Sequence, residues 1–232
     1  MPTNKSAGAR FERASDQSLL IYFGEHITLE ANESVRRLLH LLEQEPIAGV
    51  DNLHPAYCSL LVKFEALKWR HEELERKLRK YLGRLNQVRL PEPRLVEIPV
   101  YYGREFAPDL EEVAAMHGMT PERVIELHTR PTYLVYFLGF VPGFAYLGEL
   151  PRELVTPRLP SPRRKVPAGS VGIAGNQTGV YPFETPGGWR LLGRSPLAMF
   201  RTDRDGLSLL SIGDRVRFVP VSRERFAEFE HA

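Results

Sequence analysis

The stretch from Gly139 to Phe200 constrains what this chain can fold into more than any other part of it. Between Pro142 and Pro196 lie nine prolines and nine glycines, out of 19 and 18 in the whole sequence. Proline fixes φ and removes a backbone donor, while glycine admits positive φ or a close backbone approach. So dense a mixture excludes helix. The stretch is also too apolar and aromatic for a disordered linker. It is expected to form short strands joined by shaped loops.

The same stretch carries the positive charge. Leu150 to Arg201 holds eight basic residues against two acidic ones, while the whole chain has a formal net charge of +2. A basic, backbone-shaped surface on a near-neutral protein suits an anionic ligand or an acidic partner face. Solvated arginines on loops would give the same count.

Three segments carry a resemblance: PGFAYLG at 142–148, PRLPSPRRKVPAGSVGIAGNQTGVYP at 157–182 and TPGGWRLLGRSP at 185–196. They resemble the KipI family, also called the 5-oxoprolinase B-subunit family or allophanate hydrolase subunit 1. They are similar, too, to one half of the carboxyltransferase domain of urea carboxylase. The resemblance runs from about Phe11 to Val221. It implies an α+β chain: a small ferredoxin-like α/β domain over residues 10–91, then a cyclophilin-like β-barrel over residues 92–222. It also implies a homologous companion subunit of the KipA type. The sequence departs from the family pattern at Arg104 and Ala107, where glycines are usual, and at Arg201, where Asp is usual.

The rest of the chain supplies conventional elements. Residues 1–9 are expected to be a frayed tail. Leu19–Phe23 reads as a strand. Over 28–44, Val35, Leu38, Leu39 and Leu42 recur at helical spacing. A turn at His54-Pro55 is expected to lead into a strand at Tyr57–Lys63. A helix over 68–82 buries Leu74, Leu78 and Tyr81, with Gly83 as its C′ residue. A strand at Val96–Tyr101 then completes the small domain's alternation of strands and helices. Asp109–His117 reads as a short helix, and Thr120-Pro121 caps another running to His128. Thr132–Val141 is a buried strand, and Leu207–Val221 reads as two strands joined at Gly213-Asp214.

Composition bounds the rest. No apolar run is long enough to span a bilayer, and the first ten residues lack the apolar core of a secretion signal. Cys58 is the chain's one cysteine, which excludes an intrachain disulfide and a cysteine-based metal cluster. A soluble cytoplasmic protein is expected, with no membrane and no nucleic-acid partner. His71-Glu72 lacks the second histidine of a zinc motif, and no phosphate loop is present. Ser170 lies outside any nucleophile elbow, so its hydroxyl is expected to hold a loop. Cys58 and His40 are read as packing or surface residues.

What remains is recognition. Arg158, Arg163 and Arg194 offer planar, permanently charged forks suited to carboxylate or phosphate. Gln177, Tyr181 and Thr185 offer neutral hydrogen bonds, and Phe144, Tyr146 and Trp189 apolar walls. Such a set lines either a small-molecule pocket or an interface with the companion subunit. No catalytic residue and no metal ligand is singled out. The resemblance implies a subunit of an ATP-dependent 5-oxoprolinase, inactive alone. Its partners would be a KipA-like subunit and a LamB/YcsF-like subunit, and the complex would consume ATP with Mg. The alternative it implies is a KipI-like inhibitor that binds a sensor histidine kinase.

Overall fold

The computed structural model describes residues 8–203 and 205–230. The expected frayed tail lies, for residues 1–7, outside the described residues. The chain divides into two compact units, Met1–Glu92 and Pro93–Ala232.

The first unit repeats one pattern twice, a hairpin followed by a helix. Strands β1 (Arg10–Ser15) and β2 (Ser18–Tyr22) precede helix α1 (Leu29–Gln44). Strands β3 (Val50–Pro55) and β4 (Ser59–Phe64) precede α2 (His71–Leu82). The sheet order is β1-β2-β4-β3, antiparallel throughout. Alternation along β2 and β4 sends Leu19, Ile21, Leu60, Val62 and Phe64 to one face, each at most 1% exposed. Val35, Leu38, Leu39 and Leu42 of α1 and Leu74, Leu78 and Tyr81 of α2 are the buried stripes of the helices. Thr28 Oγ1 caps α1 by accepting from the Ala31 amide at 3.1 Å.

Three expectations are corrected by this unit. His54-Pro55 is not a turn but the end of β3, where Pro55 opposes Leu60. Gly83 ends α2 at a right-handed φ of −62°, so no left-handed C′ geometry is used. The strand expected at Val96–Tyr101 does not complete the first unit. It is β5 (Leu95–Val100), and its partners belong to the second unit.

That unit is a nearly closed barrel. Its strands are β5, β6 (Tyr133–Leu138), β7 (Ala145–Gly148), β9 (Ser170–Ala174), β10 (Gln177–Val180), β12 (Arg190–Arg194) and β13 (Arg215–Pro220). They run in the order β12-β9-β10-β7-β6-β13-β5, and β5–β13 is the parallel pair. The seam between the outer strands is bridged at Tyr101 and Arg194. Each donates its amide to the other's carbonyl, at 2.9 and 3.0 Å. Helices α3 (Leu110–Met116) and α4 (Pro121–Thr129) share the barrel's core, which includes Val113, Val124, Leu127, Tyr133, Leu147, Ile173, Leu192 and Phe218. Outside the barrel sheet lies a two-stranded ribbon of β8 (Arg163–Val166) and β11 (Thr185–Gly187). The chain closes with α5 (Arg223–Glu230). Leu207–Val221 forms one strand, β13, rather than two: Leu207 takes φ 58° and Gly213 φ 89°, which turn the chain before it can extend. No described helix is long and apolar enough to cross a membrane.

Candidate functional site

The proline- and glycine-rich stretch folds around an aromatic cluster on the outer face of the barrel. Phe144, Tyr181 and Trp189 are 1%, 2% and 5% exposed, and they pack with Val166, Ala174 and Leu191. Their rings meet edge-on: Phe144–Tyr181 at 5.3 Å, Phe144–Trp189 at 5.4 Å and Tyr181–Trp189 at 6.5 Å. The sheet beneath must be bare to admit them. A Cβ at Gly179 would lie 2.9 Å from the Ala145 carbonyl oxygen and 3.1 Å from the Phe144 ring. These three rings therefore fill space as a small core instead of walling an open cavity. Tyr146, half-buried, borders them and stacks on Phe137 at 4.6 Å.

The arginines are mostly committed, and the carboxylates that hold them come largely from outside the stretch. Arg163 donates through Nη2 to Asp109 Oδ1 at 2.5 Å and through Nη1 to the Trp189 carbonyl at 3.4 Å. The other Asp109 oxygen accepts the Leu191 amide at 2.6 Å. One turn on, Glu112 pairs with the buried Arg190 at 2.6 Å. The start of α3 thus clamps the ribbon at Arg163 and the strand at Leu191 and Arg190. Lys165 pairs with Glu184 and Arg201 with Asp203. Arg158 is exposed and makes no ion pair among the described residues. Its charge nonetheless reaches Tyr146 and Tyr181, opposing the upward pKa shift that burial gives both phenols.

The expected site residues do not all converge. Arg163, Thr185, Tyr181, Trp189, Phe144, Tyr146 and Arg158 surround the aromatic cluster and its ribbon. Arg194 lies apart, at the barrel seam, with its guanidinium 4.4 Å above the Phe106 ring. Gln177 starts β10, opposite Gly148 and Ala174, four residues from Tyr181. Thr185 Oγ1 is buried without a hydrogen-bond partner among the described residues.

Sequence reasoning misses a buried polar chain inside the barrel. His128 is fully buried on α4 and stacks on Phe218 at 4.5 Å. The Thr178 hydroxyl donates to the Gly172 carbonyl at 3.0 Å. Its oxygen must then accept from His128 Nε2, 2.9 Å away, and His128 Nδ1 accepts from the Tyr102 hydroxyl at 2.8 Å. The ring is thereby assigned as the neutral Nε2–H tautomer, and burial pushes its pKa down to about 3. Burial also pushes the Tyr102 phenol well up, so it stays a donor. Val124, Leu127 and His128 fall at i, i+3, i+4, which is the available signal that this histidine faces inward.

Known proteins resemble the chain in sequence and fold. Residues 9–210 match the family described as carboxyltransferase domain, subdomain C and D. The chain is 41% identical over 231 residues to the 5-oxoprolinase B subunit of Bacillus subtilis (strain 168), covering 95% of this chain and 96% of that protein. The chain belongs to the 5-oxoprolinase B-subunit family. The solved structure of TTHA0988 in space group P212121 matches it with a TM-score of 0.78 at 39% identity, over 89% of this chain. This family member spans 40% of that longer chain. The Kluyveromyces lactis urea carboxylase shares the fold, with a TM-score of 0.73 at 20% identity over 95% of this chain and 22% of its own.

Proposed function

We propose that this chain is a non-autonomous, cytoplasmic subunit of an ATP-dependent 5-oxoprolinase that opens 5-oxo-L-proline to L-glutamate. The observation that carries the proposal is the match to the Bacillus subtilis 5-oxoprolinase B subunit along nearly the full length of both chains. A lactam resists water, and phosphorylation of its oxygen would make the ring carbon open to attack. The described residues carry no recognisable ATP-binding motif of their own. They contain no group of three or more side chains able to hold a metal, and no phosphate loop. The chain therefore contributes binding and electrostatic stabilisation, and a KipA-like and a LamB/YcsF-like subunit complete the complex.

Within that reading Arg163 is the residue proposed to meet the anionic intermediate. Asp109 and Trp189 occupy two of its five donors, and its side chain is 28% exposed. Tyr146, Tyr181 and Thr185 supply the neighbouring polar atoms. The fold names implied by the sequence belong to the same proposal. A cyclophilin-like barrel is supported by the ring of strands bridged at Tyr101–Arg194. A ferredoxin-like first unit is supported by β2-α1-β3, a split β-α-β with β4 between its strands. There β1, from the start of the chain, takes the sheet position that the motif gives its last strand.

The test is 5-oxoproline-dependent ADP release, measured for the chain alone and for the chain co-expressed with both partners. Turnover in the assembled complex and none by the chain alone is expected. Turnover by the purified chain would rule out the non-autonomous reading. An assembled but inactive complex would rule out the substrate and direct attention to inhibition of a sensor kinase.

A further inference from the structure

Two non-glycine residues among those described hold the left-handed backbone conformation, Phe140 at φ 69° and Leu207 at φ 58°. Both also keep large apolar side chains in water, 59% and 46% exposed. Left-handed φ is unfavourable for a bulky side chain, and so is exposure of its apolar surface. Backbone strain combined with an outward apolar residue is a pattern found where a surface is used.

The two positions belong to one rim, at the loop that joins β6 to β7. Phe140 meets the buried Phe144 edge-on at 5.7 Å, and Phe144 meets Tyr146 at 5.0 Å. On the other side of the loop, Gly143 leaves no room beside Phe200, where a Cβ would lie 2.7 Å from the Phe200 Cβ. Phe200 in turn meets Phe183, which is 38% exposed, at 5.5 Å. Leu207 is held beside Phe200 by the Arg201 amide, which donates to the Leu207 carbonyl at 2.8 Å. Arg158 stands at the Tyr146 edge of this rim, exposed and without a carboxylate partner among the described residues. Lys165 and Arg201, by contrast, are neutralised within the chain. Aromatic side chains and arginine are the residues enriched where protein interfaces bury their centres.

We propose that this aromatic rim, with Arg158 at its edge, is the docking surface for an acidic, apolar-faced segment of the KipA-like companion subunit. The assignment rests on the function proposed above. The unneutralised guanidinium selects an acidic partner, and the outward rings select an apolar one. Strained residues held outward before binding lose little freedom when the partner arrives.

The experiment uses the full chain and the co-expressed companion, with association measured by gel filtration and by titration calorimetry. Phe140→Asn removes the ring while keeping a side chain that tolerates positive φ. It should weaken association about tenfold or more without lowering the melting temperature of the free chain. Arg158→Glu lies on the surface and leaves the fold intact. It should weaken association by a similar factor, less so at high salt. Wild-type affinity in both variants would overturn the docking surface while leaving the complex in place. Failure of the wild-type chain to associate at all would overturn the subunit assignment, and this occupant with it.

Discussion

His128 is neutral because it is buried away from water, and both of its ring nitrogens already have partners. Its two nitrogens are bonded to Tyr102 and Thr178, and its ring is stacked on Phe218. Protonating it would put a donor against a donor in a dry core. The folded pKa of about 3 lies below the ordinary 6.5, so the unfolded chain takes up a proton that the folded chain refuses. Stability is therefore fully present above pH 6.5 and falls as the pH drops toward 3. Between pH 7 and pH 5 the loss from this group is about 2 kcal/mol. The check is the melting temperature across that range, where His128→Gln should flatten the acid limb. A profile as steep in the variant as in the native chain would place the acid sensitivity elsewhere. Asp109 is the second decisive residue. Asp109→Ala leaves the Leu191 amide without its acceptor and the Arg163 guanidinium without its counter-charge, at a cost of about 2–4 kcal/mol. Asp109→Asn keeps an acceptor for the amide and should recover part of that stability in a denaturant titration. The Asp109 role is not legible in the sequence, because its partners lie 54 and 82 positions away. Arg163 reads from the sequence as an anion-binding fork, with no sign there that the fold supplies it with an anion.

Elements are legible where they are amphipathic and illegible where pairing alone makes them. Helices α1 and α2 announce themselves by buried residues at helical spacing, and α4 by its capping threonine followed by proline. Strand β6 announces itself by a continuous apolar run. Strands β1 and β3 lack such a pattern. RFERAS and VDNLHP lie at the edges of the first sheet with no buried residue between them, and their neighbours' backbone groups define them. Helix α5 escapes notice for a related reason: Phe226 is the one residue of RERFAEFE placed fully inside among those whose burial is described. The ribbon β8–β11 resembles loop in sequence because prolines and glycines flank it, yet it is what covers the aromatic cluster. That cover predicts the effect of filling the sheet beneath it. Gly179→Ala drives a methyl against the Ala145 carbonyl and the Phe144 ring, so the cluster must lift. The expected cost is about 1–3 kcal/mol, read as a lowered melting temperature together with a change in the fluorescence of Trp189. An unchanged melting temperature would mean that the cluster packs more loosely than its contacts imply.

At the scale of the whole molecule, the position of β5 decides where the chain can be divided. The change of sequence pattern puts a boundary near residue 92, but the alternation of strands and helices, read alone, assigns the next strand to the first unit although it lies beyond that boundary. β5 pairs in parallel with β13 from Leu95 to Val100, and Arg94 reaches Asp214 beside that pairing. A cut made after Val100 would remove an outer strand of the barrel, together with the residues leading to the Tyr101–Arg194 bridge. A cut before Pro93 would leave the seven-stranded ring complete. We predict that limited proteolysis cleaves within the segment 85–92 and leaves a C-terminal fragment that unfolds cooperatively. The fragment 93–232, expressed alone, should show a sharp thermal transition and near-ultraviolet dichroism from its packed aromatics. A fragment starting at 101 should show neither, because the backbone groups of β13 that face β5 would lose their partners. If 93–232 behaves as a molten species while the full chain is cooperative, the two units share one folding unit and the boundary describes contacts alone. If both fragments fold, β5 is dispensable and the barrel is held by β6–β13 and its helices. The contrast between the two starting points isolates one strand, so it tests the ring rather than the amount of chain removed.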